Sequence, residues 1–266
     1  MTSPLNPDQA RYAAMRWNTP LSIDHAELLL DRLELQPDAD VLDLGCGWGE
    51  LLLRAVEASG PSSTGVGIDT DEQVLARGRV LATAKGLDDR VHFVHADSAA
   101  WDQPADRVLC IGASHAWASV ELAMHALAQM VLPGGRVLFG EGCWEQPPTA
   151  AAATLFGEGV VTLAEIVRLA RAAGWHVLHL SAANQREWDD FEATWRRSRQ
   201  QWLFDQPHDS RAAPDVQDTL DAQLMQFVEV YRGAWLRLSR ARQMTTPPRR
   251  SFGVNYCSVP ILLQAI

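Results

Sequence analysis

The chain has 266 residues, 47% of them hydrophobic, and a formal net charge of −10 at neutral pH. A chain of this length and composition can bury a substantial core, and it predicts one large domain or a domain with a cap. The acidic balance and the single lysine, Lys85, exclude a nucleic-acid surface built from clustered cations. No stretch approaches the roughly 18 apolar residues of a membrane helix.

The N-terminal residues lack a basic region followed by an apolar run, so no secretory signal is predicted. The cysteines are scattered without the spacing of metal ligands, at Cys46, Cys110, Cys143 and Cys257. This pattern predicts reduced thiols and no metal site, in a cytoplasmic protein.

Along the first 185 residues the sequence predicts alternating helices and strands. Helices are predicted at 7–16, 22–35, 49–59, 71–86, 117–131 and 162–173, with a short helix near 98–101. Strands are predicted at 41–45, 64–69, 91–95, 106–111, 135–141 and 175–181. This alternation indicates a doubly wound α/β fold with a mainly parallel sheet.

The rhythm changes after the sixth strand. Two long helices are predicted at 186–204 and 215–243, and a closing strand at 252–263. About 70 residues therefore separate strands six and seven, far more than a simple connection needs. Aromatic residues recur on one face of the first helix, which predicts core packing for most of the rings. Two helices inserted at the carboxyl edge of a sheet would form a lid over a ligand site.

The most informative segment is V-L-D-L-G-C-G-W-G-E, from Val41 to Glu50, where an apolar strand runs through a glycine-rich turn into a helix. Glycines let a ligand approach the backbone closely, and a helix N-terminus offers unpaired N–H groups. The spacing departs from the dinucleotide fingerprint, and the carboxylates of Asp43 and Glu50 would repel a pyrophosphate. These carboxylates favour a cationic ligand.

This segment resembles motif I of the class I S-adenosylmethionine (SAM) methyltransferases. The resemblance implies that SAM is the cofactor and S-adenosylhomocysteine the product. It also implies that the loop holds the methionine end of SAM through Gly45, Cys46, Gly47 and Gly49, with Asp43 facing the amino group. The alternative is a tight glycine turn in another α/β protein.

Acidic residues also end the second and third predicted strands. Asp69, followed by Thr70, occupies the position at which such folds bind a ribose through its hydroxyls. Asp97, followed by Ser98, matches the family position that binds the adenine amino group. The alternatives are a helix cap near Asp71 and a loop-capping role for Asp97.

The resemblance extends to a subgroup described as cyclopropane-fatty-acid-synthase-like. It is carried by residues 16–22, 110–113 and 140–144, by Pro147, by residues 188–192 and by the late insertion, while L-P-G-G at 132–135 matches the wider class I family. It implies a Rossmann-like seven-stranded sheet with an antiparallel last strand and a helical lid between strands six and seven. The implied divisions are an N-terminal segment that covers the cofactor site (1–36), the core (37–185), the lid (186–250) and the closing strand (251–266). Lipid cyclopropanation itself is not indicated by the residues.

Candidate catalytic residues follow strands four and five. His115 is the leading general base, because a histidine exchanges protons near neutral pH. Glu141 is the second candidate, as a proton acceptor or as a group that orients an ammonium. The alternatives are a loop histidine and a structural turn or salt bridge. Trp17 is predicted to contact the cofactor, and the predicted acceptor-binding residues are Asn18, Trp117 and Trp144.

The resemblance thus predicts methyl transfer by in-line displacement to a small or medium-sized, partly apolar acceptor. We expect no nucleic-acid or membrane partner, and a monomer or homodimer. One alternative is an aminopropyl-type transferase that uses a SAM derivative, which Asp43 disfavours because it suits an amino-acid end. The other is a non-catalytic SAM-binding partner subunit, which the intact loop and the carboxylates Asp43, Asp69 and Asp97 disfavour.

Overall fold

The computed structural model describes residues 12–145, 147–157, 159–205, 213–232 and 259–265. The helices are α1 (Ile23–Leu33), α2 (Glu50–Ser59), α3 (Glu72–Lys85), α4 (Val120–Met130), α5 (Ala150–Phe156), α6 (Leu163–Ala172), α7 (Gln185–Asp205) and α8 (Ala213–Gln226). Short 3-10 helices span Ser98–Ala100 and Ser114–Trp117, and a π-helical turn spans Phe227–Tyr231. The strands are β1 (Asp40–Leu44), β2 (Thr64–Asp69), β3 (Val91–His95), β4 (Ala105–Ile111), β5 (Val131–Glu141), β6 (Trp175–Leu180) and β7 (Val259–Ala265).

The seven strands form one sheet in the order β3-β2-β1-β4-β5-β7-β6. Strands β1 to β5 pair in parallel, and β7 runs antiparallel to both β5 and β6. The predicted fold class is therefore confirmed. The strand order reverses between β1 and β4, and such a switch point leaves a crevice at the carboxyl ends of the strands.

Helices cover both faces of the sheet, which explains why its central strands are apolar without alternation. Val41 and Leu109 belong to the cluster that packs against α1, α2 and α3. Their neighbours Leu42 and Val108 belong to the cluster that packs against α4 and α6. The carboxyl ends of β1 and β4 are thereby held rigidly below the crevice.

Two predicted boundaries moved for local reasons. Helix α4 begins at Val120, because the side chain of Ser119 accepts from Leu122 N and caps it. The preceding residues, Ser114–Trp117, form a separate 3-10 helix. Strand β5 begins at Val131, so the L-P-G-G segment lies within it as an irregularity in the pairing with β4. Helix α5 was not predicted.

Several predictions extend beyond the described residues. Of the helix predicted at 7–16, residues 12–14 form a turn and residues 7–11 lie outside the described ranges. Also outside the described ranges are residues 233–243 of the last predicted helix and residues 252–258 of the predicted closing strand, which include Cys257. The described cysteines, Cys46, Cys110 and Cys143, carry free thiols. Of the described helices, none combines the length and apolarity needed to cross a membrane.

Helix α7 and the π-helical turn after α8 pack through their aromatic residues, as predicted for most of the rings. Trp188, Phe191 and Phe227 belong to one buried cluster with Phe156 of α5. Tyr231 lies edge-on to Phe156, with ring centroids 5.2 Å apart, and its hydroxyl donates to Glu192 of α7 at 2.8 Å. The insertion is therefore joined to α5 by an apolar core that contains one buried polar contact.

A second polar cluster joins α1, the end of β6 and the start of α7. Glu187 accepts hydrogen bonds from Ser22 N at 2.8 Å, from Ser22 Oγ at 2.7 Å and from Asn184 N at 2.8 Å. His25 Nδ1 lies 3.0 Å from Glu187, and His25 Nε2 lies 2.7 Å from Ser181 Oγ. Burial alone would raise the pKa of Glu187, but these hydrogen bonds lower it to about 2.

We expect Glu187→Gln to destabilise the protein at neutral pH and to matter less in acid. A pKa lowered from 4.5 to about 2 corresponds to about 3 kcal/mol of stability. Because the folded-state pKa is the lower one, this contribution is complete above pH 5 and disappears as the pH falls towards 2. Urea unfolding at pH 7 and pH 3.5 measures the difference. Glu145→Gln, at an exposed site, is the control. A pH-independent loss would contradict the prediction.

Candidate active site

A cavity of about 620 Å³ opens at the carboxyl ends of β1, β2, β4 and β5. Its volume lies within the range of about 300–1,000 Å³ that is common for small-molecule sites. It collects most of the predicted site residues, namely Trp17, Asn18, Asp43, Gly45, Cys46, Gly47, Asp69, Thr70, Asp97, Ser98, His115 and Glu141. The sequence prediction that these residues lie at one sheet edge agrees with this placement, while their individual roles remain proposals.

Three predicted site residues do not line the cavity. Trp144 is buried in the aromatic core, edge-on to Phe156, and Trp117 packs against the core beside α4. Neither ring is part of the cavity wall, and their predicted contacts with an acceptor stay predictions. Gly49 caps α2, and a Cβ there would lie 2.4 Å from the ring of Phe93. Its role is therefore close packing of the helix on the sheet.

The glycine loop is held by the end of β2. Gly45 N and Cys46 N donate to Ile68 O at 2.8 and 2.9 Å, and Gly47 N donates to Asp69 Oδ2 at 2.8 Å. Gly47 has a φ of +56°, and a Cβ built there meets no atom within 4 Å. The loop is thus fixed in a conformation that leaves space beside Gly47 on the cavity wall.

Asp69 organises the backbone as well as facing the cavity. Its second oxygen, Oδ1, accepts from Asp71 N at 2.9 Å, which positions the start of α3. Asp71, not Asp69, caps that helix by accepting from Gln73 N. Because each carboxylate oxygen has two lone pairs, both oxygens of Asp69 retain acceptor capacity for a ligand.

Asp97 has the capping role that was the alternative to a binding role. Its Oδ1 accepts from Ala99 N at 2.9 Å and caps the 3-10 helix that starts at Ser98. Its side chain is nonetheless exposed and lies in the cavity wall. The cap fixes the orientation of the carboxylate and leaves the other oxygen, Oδ2, for a hydrogen-bond donor of the ligand.

Asp43 lies at the bottom of the cavity and is 5% exposed. Burial, followed by repulsion from Asp69, raises the pKa of Asp43 to about 8. A buried carboxyl with a raised pKa gains strongly from a neighbouring positive charge. This pair of carboxyl groups therefore favours a ligand that brings an ammonium group.

The N-terminal segment is fastened over the glycine loop. Arg77 of α3 donates to Tyr12 O at 2.8 Å and to Met15 O at 2.7 Å, and its guanidinium lies 4.1 Å from the centre of the Trp48 ring. The indole N–H of Trp48 donates to Arg16 O. This role of Arg77 could not be predicted from the sequence, because its partners are backbone carbonyls, which leave no sequence pattern.

The polar groups on the opposite side of the cavity are His115 and Glu141. His115 is exposed on the 3-10 helix after β4. That helix ends at Ala118, whose φ of +66° is unusual for a residue with a Cβ and costs about 1 kcal/mol. Glu141 ends β5, and its Oε1 accepts from Gly142 N at 2.9 Å. The 3-10 helix after β4 and the carboxyl end of β5 therefore bring an imidazole and a carboxyl group to the wall of one cavity.

The cavity wall carries strong negative charge. Its acidic residues are Asp43, Glu50, Asp69, Asp71, Asp97 and Glu141, and among its described residues none is a lysine or an arginine. Of the acids, Glu50 is paired with Arg54 at 2.9 Å and with Arg16 at 3.6 Å. The other acidic residues of the wall suit a cationic ligand with several hydrogen-bond donors, and SAM is a ligand of this kind.

The helices between β6 and β7 contribute no described residue to the cavity wall. Phe156 and Val160, which follow β5, form the apolar wall instead. The π-helical turn after α8 lies behind this wall, because Tyr231 and Phe227 share a buried cluster with Phe156.

Known proteins resemble this chain in sequence and in structure. The profile of the family described as mycolic acid cyclopropane synthetase matches residues 21–201. The protein YjhP of Escherichia coli is 34% identical over 188 residues, which cover 68% of this chain and 75% of that protein.

Two solved structures are similar to this chain along its whole length. SAM-dependent methyltransferases from Geobacter sulfurreducens and Thiobacillus denitrificans, both in complex with S-adenosylhomocysteine, are each 26% identical to this chain. Their TM-scores are 0.80 and 0.79, and each alignment covers 100% of both chains.

Proposed function

We propose an acceptor class and residue roles from one premise: the chain belongs to the mycolic acid cyclopropane synthetase family and is a SAM-dependent methyltransferase. Its cofactor is SAM. We propose that the acceptor is a small or medium-sized, partly apolar molecule. The observation that carries this proposal is that one cavity joins the glycine loop to His115, Glu141 and an apolar wall.

The residues of one half of the cavity fit SAM. Asp43 would take the ammonium group, and Gly47 would leave room for the methionine backbone. Asp69 would accept from the ribose hydroxyls and Asp97 from the adenine amino group. When bound, SAM supplies a methyl group on a sulfonium centre, which is already activated for in-line displacement.

The other half of the cavity would bind and orient the acceptor. The apolar wall of Phe156 and Val160 would exclude water and hold a hydrocarbon body. His115 would remove a proton from an acceptor that arrives protonated at the atom to be methylated. Asn18, on the N-terminal segment, would close the cavity from above.

We also propose that the chain is divided into a covering segment, a core and a lid. Residues 1–36 would cover the cofactor half, residues 37–185 and 251–266 would form the core, and residues 186–250 would act as a lid. The contact of Tyr231 with Phe156 supports an indirect form of this role. A shift of α8 would move the apolar wall without exposing any residue of α8 to the acceptor.

Binding and methyl transfer can be tested separately. Calorimetry with S-adenosylhomocysteine tests the cofactor half of the cavity. Incubation with methyl-deuterated SAM and a panel of aromatic and alkyl amines, alcohols, thiols and acids, analysed by mass spectrometry, tests the acceptor. Transfer to several partly apolar molecules would support the proposal, and transfer only to a macromolecule would overturn it.

We expect binding of S-adenosylhomocysteine to strengthen with pH between 6 and 8. Asp43 has a pKa of about 8 without a ligand, and an ammonium beside it would favour the ionised form. Binding then releases a proton, and the affinity rises by up to about tenfold per pH unit below that pKa. Calorimetry in two buffers with different ionisation enthalpies measures the proton release directly.

The matched variants for this titration are Asp43→Asn and Asp102→Asn. Asp102 is exposed and does not line the cavity. We expect the Asp43→Asn protein to bind more weakly at pH 8 and without this pH dependence, and the Asp102→Asn protein to match the wild type. An unchanged slope in the Asp43→Asn protein would show that another group releases the proton.

A further inference from the structure

We propose that Glu141 selects the acceptor by receiving a hydrogen bond from it, so that the acceptor presents an N–H or O–H group there and is neutral or cationic at that end. Carboxylates and phosphates are excluded from the same place. This inference rests on the proposed function, because it concerns the acceptor half of the same cavity.

The first observation is an unpaired oxygen. Glu141 Oε1 is satisfied by Gly142 N, but Oε2 is buried and has no hydrogen-bond partner among the described residues. Leaving such an atom unpaired is unfavourable by about 1–3 kcal/mol. A structural carboxyl group would have both oxygens satisfied, as Glu187 has. Glu141 is nonetheless a partly exposed residue of the cavity wall, and a small rotation of its side chain would bring this oxygen within reach of a ligand.

The second observation is that two more wall atoms share this property. Asn18 Oδ1 and Thr19 Oγ1 are buried and have no hydrogen-bond partner within the described ranges. Their turn is fixed, because the indole N–H of Trp17 donates to Leu21 O at 2.5 Å. Residues of the wall on β5 and on the N-terminal segment therefore hold unpaired hydrogen-bond acceptors next to the cavity, which favours a ligand that donates hydrogen bonds.

The third observation concerns charge. Burial first, and then the negative charge of Glu141, raises the pKa of the Cys110 thiol. No lysine or arginine stands among the described residues of the wall to balance an anionic acceptor. Asp43, Asp69 and Asp97 have proposed partners on SAM. Glu50 is paired with Arg54, and Asp71 caps α3, which leaves Glu141 as the acidic group available to the acceptor. A carboxylate or phosphate placed against Glu141 would meet like charge without compensation.

The rigidity of β5 makes this recognition geometrically specific. Glu141 is the last residue of the strand, and β5 is paired with β4 on one side and with β7 on the other. At Gly140 a Cβ would lie 2.8 Å from Ile111, so the two strand ends pack closely. Because the carboxyl group is carried by paired strands, it is positioned before the acceptor arrives.

Binding to the protein saturated with S-adenosylhomocysteine tests the inference. The probes are sets with one hydrocarbon body and three head groups, such as phenethylamine, phenethyl alcohol and phenylacetate, measured by saturation-transfer NMR. We expect the amines and alcohols to bind at least roughly tenfold more tightly than the acids. Equal responses of the three classes, including no response from any of them, would overturn the inference.

Two variants make the test specific to this carboxyl group. In the Glu141→Gln protein the preference for amines over acids should shrink by roughly tenfold, because the charge is lost and the shape is kept. In the Glu145→Gln protein, which carries the same change at an exposed site outside the cavity, the preference should persist. An unaltered preference in the Glu141→Gln protein would also overturn the inference.

A stability measurement separates recognition from a structural role. Glu141→Met removes the unpaired buried oxygen, so the melting temperature of the ligand-free protein should rise by roughly 2–4 °C or stay the same. A fall of several degrees would show that the fold needs Glu141, and would overturn the inference. Failure of the wild type to bind S-adenosylhomocysteine would instead overturn the proposed function. Normal binding without head-group preference would overturn this inference alone.

Discussion

The Gly47→Val protein is expected to fold and to lose binding of S-adenosylhomocysteine by roughly five- to 150-fold, the scale of the 1–3 kcal/mol that an added side chain costs in a packed site. A Cβ at Gly47 meets no protein atom within 4 Å, so the fold itself has room for it. That room lies beside the cavity wall, where we propose that the methionine end of SAM is bound. Calorimetry on the purified variant measures the loss.

Backbone strain is the competing explanation, and the chain offers a control for it. Gly86 has a φ of +66°, compared with +56° at Gly47, and a Cβ there also meets nothing within 4 Å. Gly86 ends α3 and does not line the cavity. Gly86→Val should therefore cost a similar amount of stability and leave binding intact. Equal losses of binding in both variants would mean that strain, not the cavity, explains the effect.

The glycine loop shows what a sequence motif can predict. The order of strand, turn and helix was predictable because apolar runs and glycines have strong local preferences. The individual role of each glycine in the loop was not predictable from the sequence. Gly47 faces the cavity, whereas Gly45 and Gly49 are required by contacts with Ala113 and Phe93, which lie more than 40 residues away in the chain. Such contacts depend on tertiary packing, which leaves no local signal.

The acceptor half was harder to predict for the same reason. Trp144 follows β5 immediately, so an aromatic residue near the sheet edge was a reasonable expectation for a ligand wall. Its ring instead packs on Phe156, and Phe156 is the residue that reaches the cavity. The short helix α5 that carries Phe156 has seven residues and little periodicity, so the sequence does not reveal it. Glu141 and His115 were found because strand ends are positions at which function concentrates.

The two halves of the cavity differ in how the chain builds them. The cofactor half is made from β1, β2 and the loop between β1 and α2, whose polar atoms hold one another, as Gly47 N holds Asp69. In the acceptor half, Glu141, Asn18 and Thr19 keep buried oxygens without a partner among the described residues. The cofactor can be bound by residues whose polar atoms are already hydrogen-bonded to one another. The choice of acceptor depends instead on polar atoms that only the ligand can pair.

The His115→Ala protein is expected to retain its affinity for S-adenosylhomocysteine and to transfer methyl groups about 10²–10⁴ times more slowly, the usual contribution of a general base. His115 lines the cavity on the 3-10 helix after β4 and is not part of the glycine loop. Single-turnover transfer to a substrate found in the acceptor panel measures the rate, and calorimetry measures the affinity. The separation of the two quantities is the result that identifies a group acting on the acceptor.

His125→Ala is the matched control, since His125 is exposed on α4 and does not line the cavity. Its rate and affinity should equal those of the wild type. A comparison among acceptors then tests the chemistry, because proton removal is needed only when the attacking atom carries a proton of low acidity. Loss of His115 should slow transfer to an alcohol far more than transfer to a thiol, which ionises readily near neutral pH. If both substrates are methylated at the wild-type rate, His115 has no role as a base, and the protein accelerates the reaction by alignment alone.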